Sequence, residues 1–172
     1  MIFIRRISMN PLAKGKQFCS LFPHDFADRI LPEEAEIIDL KVYRVCLSGK
    51  IDSESFRSTY EDHYYLKRPE EVDLDDPSTY STSCYEKARD IRNSLKMFIK
   101  RNHPKAIVAA GNTGKTDGLV LQECKKKGLK KGKRNHSHVD WWIYRDHDVS
   151  YHFYDCTSLV MNKKEVKNDE NT

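Results

Sequence analysis

The stretch that begins at residue 83 constrains the fold most, because it carries both a helix start and a helical repeat. Ser83 and Glu86 match the capping-box pattern S-x-x-E, in which the two side chains satisfy the first free amides of a helix. The pattern predicts one main amphipathic helix over residues 84–101, which must bury its apolar stripe against another layer. That stripe consists of Ala88, Ile91, Leu95, Phe98 and Ile99.

Segments with strand character lie on both sides of this helix. Residues 36–47 alternate between two faces and are rich in β-branched side chains, and residues 105–110 form a short apolar run. Residues 138–145 and 149–154 alternate around a short polar turn, which predicts a C-terminal β-hairpin. We therefore expect an α/β or α+β fold in which a mixed β-sheet carries the helix on one face.

The length of 172 residues is typical of one domain. We expect residues 1–160 to form a single globular domain and residues 161–172 to be a disordered polar tail. The five cysteines are scattered and odd in number, which indicates reduced thiols and a cytoplasmic location. No run approaches the roughly 20 apolar residues that cross a bilayer, so we expect no membrane contact.

Charge is unevenly distributed along the chain. Residues 1–80 hold 11 basic and 15 acidic side chains, whereas residues 81–172 hold 19 basic and 11 acidic ones. A basic loop next to an aromatic hairpin is typical of surfaces that contact nucleic acid. Our first hypothesis is therefore a binding or accessory protein for a polyanion or an acidic partner protein. The residues predicted to make that contact are Lys125, Lys126, Lys127, Lys130, Lys131, Lys133, Arg134, Trp142 and Tyr144.

A second hypothesis is an enzyme that acts on NAD or another nucleotide. Arg44 lies on the more apolar face of its strand, Ser81-Thr82-Ser83 follows about forty residues later, and Glu123 follows after about forty more. This order resembles the Arg, Ser-Thr-Ser and Glu signature of ADP-ribosyltransferases. The resemblance implies NAD as cofactor and three catalytic residues. Arg44 would steady the dinucleotide phosphates, Ser81 would support the nicotinamide pocket, and Glu123 would bind the ribose and stabilise its positive charge.

That family usually places a companion residue two positions before the glutamate, where Leu121 stands in this chain. The inward direction predicted for Arg44 also requires a partner, because an unpaired buried charge is costly. That partner is either a phosphate of the substrate or a carboxylate of the protein itself.

Two further patterns have a functional and a structural interpretation. Residues 109–116 (AAGNTGKT) match a permissive phosphate-binding loop, in which Lys115 would hold phosphates and Thr116 would bind magnesium, or they form a polar turn between strands. His138 and Asp140 are suitable metal ligands and suggest a metal-dependent hydrolase. Their spacing matches no recognised zinc motif, so we expect ordinary hydrogen bonds and no metal.

Overall fold

A computed structural model describes residues 10–126 and 137–162. Within these ranges the strands are β1 (Lys41–Cys46), β2 (Thr82–Tyr85), β3 (Ile107–Asn112), β4 (Gly118–Gln122), β5 (His138–Ile143) and β6 (Tyr154–Asp155). The α-helices are α1 (Thr59–Tyr65), α2 (Ala88–Lys100) and α3 (Thr157–Met161). Short 3-10 turns lie at Pro11–Ala13, Ser53–Phe56, Pro69–Glu71, Pro77–Tyr80, Glu123–Lys125 and Ser150–His152, and a π turn lies at Phe26–Ile30.

The strands form one sheet in the order β4-β5-β2-β1-β3-β6. Each of these neighbouring pairs is antiparallel. The expected combination of a sheet with helices is confirmed as α+β, but the prediction of a mixed sheet is wrong for the described residues.

The chain entering β1 also pairs with β4. The Glu36 and Val120 backbones exchange two hydrogen bonds of 2.9 Å, and the Thr113 amide donates to the Leu40 carbonyl at 2.9 Å. Strand β4 lies at the edge of the sheet, and this bridge partly protects its open side from pairing with another chain. We call the face of the sheet that carries Val42 and Trp141 the inner face and the opposite face the outer face.

Alternation along the strands sends neighbouring residues to these two faces. The outer face is covered by α2 and α3 over β1 and β3, and by the chain between Ala13 and Ala35 over β4 and β5. The inner face is mainly apolar: Phe56, Val149 and Phe153 pack against the strand residues Val42, Cys46, Cys84, Ala109, Val120, Val139 and Trp141.

Helix α2 lies within the predicted range but begins at Ala88, and the predicted capping box is wrong. Ser83 lies in β2, where it pairs with Asp140, and Lys87 caps the helix without a side-chain bond. Two neighbouring strands thus override the local signal. A capping box does occur at α1, where the Ser58 hydroxyl accepts from the Glu61 amide at 3.2 Å and the Ser58 amide donates back to the carboxylate at 2.8 Å.

The predicted C-terminal hairpin is also wrong. Strand β5 pairs with β2 and β4, while β6 pairs with β3 near the opposite edge of the sheet. The chain between them is a 3-10 turn, Ser150–His152, rather than a returning strand. Of the tail predicted for 161–172, residues 163–172 lie outside the described ranges.

All five cysteines are free, and Cys46, Cys84 and Cys156 are buried. Burial raises the pKa of the Cys84 thiol to about 12, as expected for an inert core residue. In the described part of the chain, no helix has both the length and the apolar character needed to cross a bilayer.

Candidate functional site

The centre of the candidate site is the carboxylate of Asp140, which is fully buried in the middle of β5. Its Oδ1 accepts a hydrogen bond from the Ser81 hydroxyl at 2.5 Å. Its Oδ2 accepts from the Ser78 hydroxyl at 3.1 Å and lies 2.7 Å from the Lys126 ammonium. Among the described residues, its partners are all side chains, so this buried charge is held by groups that can rearrange.

Strand register brings these groups to one place. Asp140 faces Ser83 across β2 and Leu121 across β4, so it points to the outer face of the sheet. Ser81 immediately precedes β2 and lies two positions before Ser83, which puts it on the same face. Ser78 comes from the turn Pro77–Tyr80, where the Asp76 side chain accepts from its amide at 2.9 Å.

Lys126 joins Asp140 to a second carboxylate. Its Nζ lies 2.8 Å from Glu123 Oε2 and 2.7 Å from Asp140 Oδ2. Burial acts to lower the pKa of Lys126, but the charge of Asp140 and the hydrogen bonds to both carboxylates outweigh it, so its pKa is raised. The ammonium therefore stays charged and neutralises part of the negative charge of the pair.

His138 completes the cluster and gives it a metal-binding composition. Its Nδ1 lies 3.5 Å from Glu123 Oε2, and its ring meets the Tyr85 ring edge-on at 5.3 Å. One ligand atom each from Glu123, His138 and Asp140 lies within 4.8 Å of the others, so the three could hold a cation. Lys126 already contacts both carboxylates, so a metal ion would have to compete with it.

A cleft of about 230 Å³ opens beside this cluster. We call it the Asp140 cleft. Its wall combines apolar side chains with the polar groups of the site, as ligand pockets commonly do. The described residues that line it are Pro32, Glu34, Asp76, Pro77, Ser78, Leu121, Lys126, Asp140 and Trp142.

Arg44 does not join this cluster. It points to the inner face, as predicted, because it alternates with Val42 and Cys46. Its guanidinium donates to the backbone carbonyls of Ser55 at 3.0 Å and Ser83 at 2.8 Å. The expected partner, a carboxylate or a phosphate, is thus replaced by main-chain oxygens, and only Ser81 and Glu123 of the predicted trio share the Asp140 network.

The segment predicted to bind phosphate connects β3 to β4. Strand β4 begins at Gly118, whereas a phosphate-binding loop needs a helix N-terminus after the lysine and threonine. The Thr116 hydroxyl donates to Asp117 Oδ1 at 3.4 Å, and His147 Nδ1 lies 3.1 Å from the same oxygen. Residues 113–117, which include Lys115, are therefore the polar turn of the structural interpretation.

The aromatic part of the predicted polyanion surface is wrong. Trp142 and Tyr144 are only 1% and 6% exposed, and they pack under the N-terminal chain. The Trp142 indole donates to the Pro77 carbonyl at 3.1 Å. Rings enclosed in this way have no free face on which a base could stack.

The basic part of that surface is only partly within the described ranges. Lys125 pairs with Glu36, and Lys126 with Glu123 and Asp140. The remaining residues, Lys127, Lys130, Lys131, Lys133 and Arg134, lie outside the described ranges. Contact with a polyanion through those residues stays a prediction.

The cluster unites residues that the sequence assigned to three separate hypotheses. Ser81 and Glu123 belonged to the transferase hypothesis, Lys126 to the polyanion surface, and His138 and Asp140 to the metal hypothesis. Sequence reasoning missed Ser78 altogether, since a serine after a proline in an acidic loop is typical of an ordinary turn. The chain matches no protein-family description, no curated protein and no solved structure at a significant level.

Proposed function

We propose that this chain is an enzyme that cleaves the glycosidic bond between nicotinamide and ribose in NAD, passing the ADP-ribosyl group to water or to an acceptor. The observation that carries the proposal is the 2.5 Å hydrogen bond between the Ser81 hydroxyl and Asp140 Oδ1. It joins the Ser-Thr-Ser motif to a buried carboxylate beside a cleft.

The geometry favours Asp140 over Glu123 for the role that the resemblance gives to a carboxylate. Ser81 contacts Asp140 directly, whereas Glu123 reaches it through Lys126. His138 stands two positions before Asp140, which is the spacing at which ADP-ribosyltransferases usually place a companion residue. We therefore move the carboxylate role from Glu123 to Asp140.

The chemistry needs a negative charge next to a developing positive one. When the bond from ribose C1′ to nicotinamide breaks, its electron pair leaves with neutral nicotinamide and the ribose becomes cationic. A buried carboxylate beside the cleft can stabilise that cation. Water or an acceptor then bonds to C1′ and releases a proton, for which Glu123 is our candidate base.

The phosphate role of Arg44 is not carried over. Its guanidinium is engaged by main-chain carbonyls on the inner face, and Asp140 points to the outer face. The proposal therefore keeps the serine and carboxylate parts of the resemblance and gives Arg44 a structural role.

The test is nicotinamide release from NAD, measured with and without acceptors such as arginine, free nucleotides and a protein extract. We expect Asp140→Asn to lower the rate by about 100-fold or more, as loss of a preorganised charge does in other enzymes. Asp146→Asn is the matched control, because the Asp146 side chain is 86% exposed. Absence of nicotinamide release under every condition, or full activity in the Asp140 variant, would rule out the proposal.

A metal-dependent hydrolase is the second candidate. It is favoured by the proximity of Glu123, His138 and Asp140, whose ligand atoms lie within 4.8 Å of one another. This function predicts stoichiometric zinc or manganese in the purified protein and loss of that metal in His138→Ala. Protein that binds neither ion in a titration would exclude it.

A further inference from the structure

We infer that Lys126 binds the phosphate of the substrate. The Lys126 ammonium must exchange a carboxylate contact for this phosphate before Asp140 and Glu123 can act. The inference rests on the proposed function and names its substrate class: a ribosyl compound that carries phosphate, rather than a free nucleoside. Without such an anion, the lysine holds the two carboxylates together.

The charged residues in the described lining of the Asp140 cleft are mostly acidic, and Lys126 is the basic residue among them. Among its described lining residues, Glu34, Asp76 and Asp140 are acidic and Lys126 is basic. Within this described lining, a phosphate group would be repelled by the carboxylates and attracted by the ammonium. Lys126 is therefore the group in this lining that allows a nucleotide to enter.

Lys126 is placed so that its ammonium can exchange a carboxylate contact for a contact with a substrate phosphate. Its side chain is 26% exposed, so a ligand in the cleft can reach it. An ammonium carries three donors on a flexible stem, and here it contacts Glu123 Oε2 and Asp140 Oδ2 and lies 3.4 Å from the Ser78 hydroxyl. Replacing one carboxylate contact by a phosphate oxygen would free that carboxylate to face the ribose.

Arg44 is poorly placed to bind the phosphate, because its guanidinium is already engaged by main-chain carbonyls. The guanidinium makes hydrogen bonds to the carbonyls of Ser55, Ser83 and, at 3.4 Å, Arg57. Turning it toward a phosphate would leave these carbonyls without their donor, which is costly in a protein interior. Phosphate recognition by the arginine is thus disfavoured by the same contacts that hold it.

The experiment compares NAD with nicotinamide riboside, which has the same scissile bond but no phosphate. Nicotinamide release is measured for the wild type, Lys126→Gln and Lys126→Arg, with Lys125→Gln as the matched control, because Lys125 pairs with Glu36. We expect Lys126→Gln to raise the KM for NAD at least tenfold and to leave or improve cleavage of the riboside. Lys126→Arg should keep most of the preference for NAD.

Calorimetric titration with ADP-ribose provides a readout that does not depend on turnover. We expect binding by the wild type and the Lys125 variant, and at least tenfold weaker binding by Lys126→Gln. Because that variant leaves two carboxylates close together, the double variant Lys126→Gln/Glu123→Gln is titrated as well, and it should bind as weakly.

The outcomes separate this inference from the proposed function. Turnover of NAD with an unchanged KM in Lys126→Gln would overturn the inference and leave the function intact. Binding of ADP-ribose that depends on Lys126, without any turnover, would support phosphate recognition and overturn the enzyme. If the protein neither binds ADP-ribose nor turns over NAD, both the inference and the proposed function are overturned.

Discussion

Arg44, which is half-buried, and Asp140, which is fully buried, are two charged side chains on opposite faces of the same sheet. Arg44 is held by backbone carbonyls, whose positions are fixed by the fold. Within the described part of the chain, Asp140 is held by two hydroxyls and an ammonium, all on side chains that can move. The proposed function accounts for this difference by a structural role for the arginine and a functional role for the aspartate.

The largest effect expected from this comparison is on the rate of NAD cleavage, when Asp140 is replaced. Asp140→Asn keeps the size of the side chain but replaces one accepting oxygen by an amide donor and removes the charge beside Lys126, so we expect the free energy of unfolding to fall by about 3 kcal/mol. NAD cleavage should also fall by about 100-fold or more. Denaturant titration and nicotinamide release on the same preparation check both statements, and a folded variant that keeps its activity would make Asp140 another structural charge.

The next effect is on stability. Arg44→Met removes the donor of several main-chain carbonyls, so we expect the free energy of unfolding to fall by about 3 kcal/mol. Arg57→Met is the control, since Arg57 stacks 4.3 Å from the exposed Tyr65 ring and should change stability by less than about 1 kcal/mol. Urea denaturation measures both, and equal stability of the two variants would contradict the structural role of Arg44.

A smaller effect concerns the hydroxyl that joins the Ser-Thr-Ser motif to the carboxylate. Ser81→Ala removes the hydroxyl that donates to Asp140 Oδ1 at 2.5 Å and that also lies 3.0 Å from the Ser78 carbonyl oxygen. We expect about tenfold slower NAD cleavage, which corresponds to about 1.4 kcal/mol. Ser83→Ala, two positions further on the same face, should have a weaker effect. The reverse order would mean that the motif acts through Ser83.

The smallest expected effect is on the pH dependence of stability. It tests whether Arg44 is paired with the nearby carboxylate of Asp62. Burial raises the pKa of Asp62, although the charges of Arg44 and Arg57 act to lower it. The folded protein therefore favours the protonated acid. The stability this provides is complete below the ordinary pKa of 3.8 and is lost as pH rises through the raised value.

Asp62→Asn removes this dependence, so the variant should gain stability relative to the wild type as pH rises from 3.5 to 7. Urea midpoints at several pH values measure the difference. A variant that becomes less stable at neutral pH would show that Asp62 is the ionic partner of Arg44.

Local sequence patterns predicted several elements but not their neighbours. The strands at 41–46 and 107–112 and the helix at 88–100 overlap the predicted segments. The capping box at Ser83 failed because pairing with β1 and β5 extends that serine into a strand. The hairpin failed because β5 finds partners far away in the sequence, and no local turn signal encodes such pairing.

The candidate site was predicted in its residue types but not in its grouping. Glu123 was assigned the carboxylate role because it lies at the expected distance along the chain from Ser81. The strand register that puts Asp140 opposite Ser83 is a property of three strands that are distant in sequence. Burial of Trp142 also depends on the N-terminal chain, whose irregular sequence gave no sign of where it packs.

The most direct test of the central claim is a crystal structure of the protein with bound ADP-ribose. We expect ribose C1′ beside the carboxylate of Asp140, with Ser81 still donating to that carboxylate and the Lys126 ammonium on a phosphate oxygen. A ligand bound elsewhere, with Lys126 still bridging Glu123 and Asp140, would contradict the account.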